Sequence, residues 1–255
     1  MARRTFERVV VRRPDLRAPF PEKFSARLTN QAALAVQRRA KYLLVPLSSG
    51  ETLVMHLGMS GWFRIEHRRI DPSPGRHDHV MFYMSSAAVV IFSDPRRFGF
   101  MDLIPTASLP AHPVLGKLGP EPLSAEFDAA ALARACRGKK TTLKVALLDQ
   151  QVVAGLGNIY ASEALHVAGL SPHRRASTIA TPSGAPRESA RRLTAAIKRV
   201  LTGAITRKTA SEYRSSRFRV YDREAERCRR AKCTGTIRRR TQAGRSTFFC
   251  PVCQR

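Results

Sequence analysis

The stretch that decides the fold is Leu147–Leu165, which reads LLDQQVVAGLGNIYASEAL. An apolar helical run is interrupted by Gly155 and Gly157, and a second helical run opens at or near Asn158. The two glycines permit a tight turn and a close approach of the backbone to another group, and asparagine is a preferred N-cap residue. The N–H groups at such a helix start favour an anion such as a phosphate. An ordinary helical hairpin with a glycine turn is the alternative that this stretch leaves open.

The charge of the chain favours a polyanionic partner. The 255 residues include 45 Lys or Arg against 19 Asp or Glu, which gives a formal net charge of +26. Because each phosphate neutralised by such a surface releases a counterion, nucleic acid is favoured over a basic membrane-surface role. No apolar run reaches the ~18 residues that span a bilayer, and the N-terminus lacks the apolar core of a signal peptide. We therefore expect a monomeric, cytoplasmic, nucleoid-associated protein without a membrane partner.

Residues 1–106 are expected to form a β-sandwich domain, followed by a linker over 107–123. Short β-rich runs recur through the first region, most of them bounded by Pro, Gly or Ser, and one small helix over 21–28 interrupts them. The following segment is punctuated by Pro and Gly, as inter-domain linkers are.

Several segments of the sandwich region combine charged and aromatic or apolar side chains. Residues 96–98 read Arg-Arg-Phe, which suits a wedge that enters a base stack, although an ordinary loop is the alternative. Met59 could fill the core, and residues 38–41 could be a charged sheet edge. His77 and His79 lack nearby partners for a metal site, so we do not expect one there.

Helices dominate residues 124–207, and the tail over 218–255 is expected to be a zinc-finger domain. The predicted helices cover 124–136, 141–150, 158–168 and 187–205. Cys136 lies in the first of these, in an alanine-rich setting that predicts a buried thiol rather than a nucleophile.

The tail carries the most specific chemical signal, a set of four cysteines: Cys228, Cys233, Cys250 and Cys253. Four residues separate the first pair, two separate the second, and sixteen lie between the pairs, which is the spacing of a Cys₄ zinc ribbon. Two disulfides are the alternative, and a reducing compartment disfavours them. Residues 227–255 contain nine Lys or Arg and no Asp or Glu, so the ribbon suits phosphate. Arg245 is expected at a hairpin tip of this ribbon.

Six motifs occur in one order along the chain. They are QRRAKYLL at 37–44, HLGMSG at 56–61, DPRRFG at 94–99, LGPEPL at 118–123, GLGNIYASE at 155–163 and the Cys₄ ribbon. Together they resemble the formamidopyrimidine-DNA glycosylase (MutM/Nei) family, from about Phe6 to Arg255. The resemblance implies an α+β multidomain fold with a β-sandwich, a helix–two-turns–helix domain and a zinc finger. It also implies a base-excision DNA glycosylase and abasic-site lyase that removes 8-oxoguanine and formamidopyrimidines from duplex DNA and nicks the strand.

The resemblance further implies residue roles. Lys41 matches the lysine that contacts phosphate and donates a proton in β-elimination, and Arg245 matches the zinc-finger arginine that holds phosphate and assists δ-elimination. The residues that fill the gap left by the flipped nucleotide are matched by Met59, Arg96 and Phe98. Further DNA-contacting positions are matched by His56, His77, Arg96, Lys139 and Asn158. The zinc would be structural, since cysteine fills all four ligand positions.

The sequence departs from the family pattern at two places. Family members begin Met-Pro-Glu-Leu-Pro-Glu, and the proline amine attacks the sugar C1′, whereas this chain begins MARRTF. Either the start is misassigned or the chain is a natural truncation, and the second explanation predicts a catalytically silent damaged-DNA-binding protein. Residues 206–217 are shorter than the glycine-rich segment that covers the extruded base in such families, which bears on lesion choice. An unrelated RNA-binding zinc-ribbon protein is a third hypothesis.

Overall fold

Two antiparallel sheets build the first of the two units into which the chain divides, Met1–Gly116 and Lys117–Arg255. The computed structural model describes residues 1–67, 72–206 and 218–255. The strands of the first unit are β1 (Arg4–Val11), β2 (Ala32–Ala33), β3 (Gln37–Arg39), β4 (Tyr42–Pro46), β5 (Glu51–His56), β6 (Trp62–His67), β7 (Asp78–Met84), β8 (Ala88–Ser93) and β9 (Phe100–Pro105). The β-rich runs that the sequence predicts, at residues 9–11, 42–45, 52–55 and 88–92, all lie in these strands.

The two sheets share one core. Their strand orders are β2-β1-β7-β8-β6 and β3-β4-β5-β9. Alternate residues of both sheets enter a single buried cluster, in which the Phe6 and Phe82 rings meet edge to face with centroids 5.6 Å apart. Because side chains alternate across a strand, each sheet turns one apolar face to the other. The predicted β-sandwich is therefore confirmed.

A short helix, α1 (Phe24–Leu28), closes part of this core with Phe24 and Leu28. The sequence predicts its start at Pro21, but the helix begins three residues later. Lys23 precedes it in a left-handed conformation with φ of 52°, which no α-helix can continue through. Two 3₁₀ segments, Thr106–Ala111 and Leu115–Lys117, follow β9.

Helices form the core of the second unit, and a β-hairpin follows them. They are α2 (Ala129–Cys136), α3 (Leu143–Leu148), α4 (Asn158–Ala168) and α5 (Glu188–Ile205), with a 3₁₀ turn at Ala176–Ile179 before α5. The hairpin consists of β10 (Arg238–Gln242) and β11 (Arg245–Phe249). On α5 the apolar residues Ala190, Leu193 and Ile197, spaced three and four apart, are buried on one face. Within the described ranges, no helix is both long and apolar enough to cross a bilayer.

The start of α2 differs from the prediction. The sequence suggests Ser124 as its cap, but the Ser124 hydroxyl donates to the carbonyl of Glu121 at 3.0 Å. Asp128 caps the helix instead, and its Oδ1 accepts the Ala131 N–H at 2.6 Å. Phe127, immediately before the cap, is fully buried in the helical core. Both serine and aspartate can cap a helix, so burial of Phe127 fixes which of them does.

Candidate DNA-contacting loops and metal centre

Two loops of the first unit are joined by the buried carboxylate of Asp94. Its Oδ1 accepts the Ser60 hydroxyl at 2.5 Å, and its Oδ2 accepts the Gly99 N–H at 2.8 Å. Gly58 has φ of +66°, and a Cβ there would lie 2.6 Å from the Gly99 nitrogen. Only glycine fits a position that combines positive φ with this approach. The loops that follow β5 and β8 are therefore packed backbone to backbone.

This packing presents the three residues that the resemblance assigns to gap filling. Met59 is 68% exposed and Phe98 is 42% exposed, although both are large apolar side chains. The Arg96 guanidinium lies 4.7 Å from the centre of the Phe98 ring, a cation–π geometry. His77, in the turn before β7, accepts the Asp94 N–H through its carbonyl at 2.9 Å. The alternative that Met59 fills the core is wrong, since its side chain faces solvent.

Lys41 lies in the turn between β3 and β4, where Ala40 has φ of 52°. His56, at the end of β5, pairs with Tyr42, and its ring stacks on Phe100 at a centroid distance of 5.8 Å. The His56 Nδ1 accepts the Gly58 N–H at 2.9 Å. Burial lowers the pKa of His56, and the positive charges of Lys41 and Arg17 lower it further. The ring is therefore a neutral acceptor beside a cationic turn.

The glycine turn of the second unit has Gly157, not Asn158, as the N-cap of α4. Asn158 is the first helical residue, and its Nδ2 donates to the carbonyl of Ser246 in the β10–β11 hairpin at 2.9 Å. The predicted capping role is thus wrong because Asn158 already lies inside the helix, and its side-chain NH₂ makes this tertiary bond instead. Gly155 has φ of +78°, and its N–H donates to the Gln150 side chain at 2.8 Å. Lys139 pairs with Asp149 at 3.3 Å just before this turn.

Arg245 is the first residue of β11 and is exposed directly after the Ala243-Gly244 tip, as the sequence predicts. Gln242, its cross-strand partner, fastens the hairpin to the helical core. The Gln242 Nε2 donates to the Thr142 hydroxyl at 3.3 Å, and its Oε1 accepts the Thr247 hydroxyl at 3.0 Å.

The four tail cysteines come together, and their sulfur atoms all lie within 4.8 Å of one another. The Sγ atoms of Cys228 and Cys253 are 3.7 Å apart, and those of Cys233 and Cys250 are 3.6 Å apart. A disulfide would need about 2.05 Å, whereas four thiolates at about 2.3 Å from one tetrahedral metal are about 3.8 Å apart. The set therefore fits a metal ion and not two disulfides. Cys136 is fully buried, and burial raises its pKa to about 11, so it is an inert thiol.

Two family models match most of the chain. The formamidopyrimidine-DNA glycosylase N-terminal domain matches residues 1–101, and the formamidopyrimidine-DNA glycosylase H2TH domain matches residues 118–215. The chain belongs to the formamidopyrimidine-DNA glycosylase family. The resemblance inferred from six ordered motifs is thereby confirmed.

Relatives in this family align along nearly the whole chain. The formamidopyrimidine-DNA glycosylase of Azorhizobium caulinodans is 53% identical over 270 residues, which cover 98% of this chain and 92% of the relative. That of Rhodopseudomonas palustris is 54% identical over 269 residues, covering 97% and 92%. The Lactococcus lactis enzyme, solved bound non-covalently to DNA containing an AP site, matches with a TM-score of 0.87 at 29% identity, covering 100% of this chain and 94% of that one. MutM in complex with DNA containing carbocyclic 8-oxo-G gives 0.85, also at 29% identity, covering 100% and 94%.

Membership of the formamidopyrimidine-DNA glycosylase family confirms the predicted enzyme class, a DNA glycosylase with abasic-site lyase activity in base excision repair. The hypothesis of an unrelated RNA-binding ribbon protein is wrong. The catalytically silent alternative receives no support, because the relatives are named as glycosylases. The expectation about the shortened 206–217 segment falls at 207–217, outside the described residues.

Lys144 is a residue of this family member that the sequence analysis missed. It is fully buried on α3, and its Nζ donates to the Ser246 carbonyl at 2.9 Å and to the Thr247 hydroxyl at 2.7 Å. Burial, with a smaller effect from Arg245, lowers its pKa to about 8. The only signal was one lysine inside the apolar helical run LKVALL. Lys144 and Asn158 thus hold the same hairpin carbonyl, next to Arg245.

Helix α4 contributes two further residues that the sequence analysis missed, Glu163 and His166. The Glu163 side chain is buried, its Oε2 accepts the Arg219 N–H at 2.8 Å, and its Oε1 accepts the N–H groups of Val220 and Tyr221, both at 2.9 Å. His166 lies beside the cysteine cluster, with Nε2 3.2 Å from the Cys228 sulfur. Both belong to the predicted helix, but their partners are more than fifty residues away in sequence.

Proposed function

We propose that the chain removes oxidised purines, namely 8-oxoguanine and formamidopyrimidines, from duplex DNA and then nicks the strand at the resulting abasic site. The proposal is supported by relatives named for formamidopyrimidine and by a structural neighbour solved with DNA containing 8-oxo-G. The excess of positive charge across the chain suits a phosphate backbone.

The observation that carries this proposal is the exposed group of Met59, Arg96 and Phe98. Met59 and Phe98 are exposed on two loops whose backbones are packed together, and the Arg96 guanidinium lies over the Phe98 ring. Exposed apolar side chains grouped in this way indicate a binding surface. Extrusion of a nucleotide leaves a gap in the base stack, and apolar side chains that enter the gap offset the lost stacking. The Arg96 guanidinium supplies hydrogen-bond donors for the orphaned base. His56 ends β5 at the base of the first loop, and His77, in the turn before β7, is hydrogen-bonded to Asp94 of the second loop.

The second unit supplies the cations and donors for phosphate. We assign this role to Asn158, Lys139 and Arg245, which lie at the glycine turn, before it and on the hairpin. Lys144 has a positioning role, because its ammonium fixes the carbonyl next to Arg245. Lys41 and Arg245 would act in the elimination steps, in which a cation beside the phosphate stabilises the leaving oxygen and an ammonium can donate a proton.

We assign zinc as the metal, held by Cys228, Cys233, Cys250 and Cys253. Thiolate sulfur at tetrahedral spacing is the ligand set of structural zinc. Zinc bound there stabilises the fold and leaves no coordination position for a substrate. We further propose residues 1–106 as the glycosylase domain, 124–207 as the helix–two-turns–helix domain and 218–255 as the zinc-finger domain, joined by 107–123, in a monomeric cytoplasmic enzyme.

Strand scission and borohydride trapping on matched duplexes test the function. The duplexes carry one 8-oxoguanine, one abasic site or no lesion. We expect nicking of both damaged duplexes and, on each, an adduct in which borohydride has reduced the imine between an amine of the chain and C1′ of the sugar. We expect neither on the intact duplex. Equal cutting of damaged and intact DNA, or no scission and no adduct on either damaged duplex, would contradict the proposal.

Variants of the exposed group test how lesions are reached. Phe98→Ala should lower kcat/KM on 8-oxoguanine by roughly 5- to 150-fold, since stacking one base on an aromatic side chain contributes about 1–3 kcal/mol. Met59→Ala should lower it as well, because the methionine side chain also enters the gap. Ile65→Ala is the matched control, because Ile65 is also an apolar side chain of the first unit and is 65% exposed. It should retain wild-type activity. An equal loss in all three variants would show that the effect is general.

A further inference from the structure

His166 is a buried polar residue to which the proposed function assigns no role. It lies two residues before the end of α4, is 1% exposed, and its Nε2 is 3.2 Å from the Cys228 sulfur and 3.8 Å from the Cys253 sulfur. These sulfurs already belong to a complete set of four ligands. His166 is therefore a neighbour of a ligand and not a fifth ligand.

The two ring nitrogens of His166 have different surroundings. The Nδ1 atom is buried and has no hydrogen-bond partner among the described residues. A thiolate that binds a metal carries no proton, so a hydrogen bond between Nε2 and the Cys228 sulfur needs its proton on Nε2. The ring therefore carries its proton on Nε2, the nitrogen that faces sulfur. A thiolate that binds a metal keeps lone pairs available for such a donor.

The turn from Cys228 to Cys233, which we call the first cysteine knuckle, also binds the end of α4 through Arg230. The Arg230 N–H donates to the Cys228 sulfur at 3.4 Å. Its guanidinium donates to the carbonyls of His166 and, at 3.3 Å, of Val167. These carbonyls lie in the last turn of α4, where the helix dipole favours a cation. Around Cys228, the helix thus contacts the knuckle through the His166 ring, and the knuckle donates to the helix carbonyls through Arg230.

We propose that His166 is a positioning residue of the metal centre, whose Nε2–H donates to the Cys228 thiolate and orients it toward the metal. This inference rests on the proposed zinc site. Hydrogen bonds to ligand atoms fix their direction and lower their negative charge, and loss of such a bond typically costs about 10- to 100-fold in metal affinity. The bond also ties the metal centre to the helix that begins at Asn158.

His166→Phe and His166→Gln separate the hydrogen bond from the volume of the ring. Phenylalanine keeps an aromatic ring but has no donor, whereas the glutamine side-chain amide can present an N–H near the position of Nε2. Zinc affinity is measured by chelator competition on the full chain. We expect roughly 10- to 100-fold weaker zinc binding for His166→Phe and substantial recovery for His166→Gln.

Cobalt substitution supplies a spectroscopic readout that a loss of packing would not move. An N–H bonded to sulfur withdraws electron density, so its removal should shift the thiolate-to-cobalt charge-transfer band of His166→Phe to longer wavelength. His166→Gln should restore the band. Circular dichroism of each variant checks that it is folded.

A measurement on the wild-type chain keeps the inference open to refutation even if His166→Phe does not fold. ¹⁵N chemical shifts of the zinc-bound protein identify which ring nitrogen of His166 is protonated, and we expect Nε2. A proton on Nδ1, or wild-type affinity and an unshifted cobalt band in His166→Phe, would overturn the inference while the zinc site stands. A wild-type chain that binds neither zinc nor cobalt would overturn both.

Discussion

Replacing Glu163 by Gln should speed amide hydrogen exchange selectively at residues 219–221. The carboxylate accepts three backbone N–H groups from consecutive residues, Arg219, Val220 and Tyr221, and it is 5% exposed. Glutamine has nearly the same shape, but one of its two terminal atoms is an NH₂ group. If its oxygen faces Val220 and Tyr221, the NH₂ group opposes the Arg219 N–H. The variant therefore removes one acceptor and the charge that strengthens the other two bonds.

The magnitude follows from these three bonds. A hydrogen bond to a charged group contributes about 1.5–3 kcal/mol, and a buried donor left without a partner costs about 1–3 kcal/mol. One lost bond and two weakened ones give a local cost of about 2–4 kcal/mol. Local opening governs amide exchange, so this cost corresponds to roughly 30- to 700-fold faster exchange.

Hydrogen exchange followed by NMR measures this effect at the three amides themselves. Glu188→Gln is the matched control, since Glu188 is an exposed glutamate on α5 whose carboxylate lies 3.8 Å from the Arg191 guanidinium. Exposed pairs of this kind contribute about 0–1 kcal/mol, so the control should leave exchange at residues 219–221 unchanged. Exchange in Glu163→Gln at the wild-type rate would refute the reasoning, because it would mean that the carboxylate does not hold this backbone.

Two further substitutions test the hairpin and the paired loops. Lys144 has a pKa of about 8 in the folded chain against 10.5 when unfolded, so its buried charge destabilises the fold at neutral pH and this cost disappears as the pH rises from 8 to 10.5. The Tm of wild type relative to Lys144→Met should therefore rise across that window, and paired thermal melts with a constant difference would argue against the shift. Gly58→Ala should destabilise the first unit by about 2 kcal/mol or more and weaken binding to abasic duplex, because positive φ and contact with the next loop both oppose a Cβ. Gly50→Ala is its control in urea unfolding, since Gly50 has φ of +82° but open space around its Cβ position. This control should lower the free energy of unfolding by only about 1 kcal/mol. Equal losses in the two variants would mean that the contact between the loops contributes nothing to stability.

Local patterns were sufficient to predict the sandwich, α4 and the cysteine set. A short run rich in β-branched and aromatic residues predicts a strand such as β8, and all six residues of β8 are buried. The two cysteine pairs were predictable because each knuckle is a local unit with fixed spacing. The position of Arg245 next to a hairpin tip follows from the same ribbon pattern.

The residues that were missed depend on contacts between distant segments. Lys144 and Glu163 look like single charges in apolar helices, and the sequence does not say whether such a charge turns to solvent or is buried with a partner. Their partners lie at Ser246 and Arg219, far along the chain. Asn158 was assigned to capping because capping is a local role, whereas its observed bond to Ser246 is not local.

The contacts of the hairpin and of residues 218–221 have a consequence for domain exchange. A zinc finger is often treated as a module that can be cut and joined at its first residue. Consider a chimera joined at 218 whose finger does not bring a carbonyl and three N–H groups to the positions of Ser246 and residues 219–221. It would leave the Lys144 ammonium and the Glu163 carboxylate buried without partners, and an uncompensated buried charge costs several kcal/mol. A junction near Lys117, the start of the second unit, keeps both charges with the groups they bind. The ribbon and the helices would therefore have to be exchanged together.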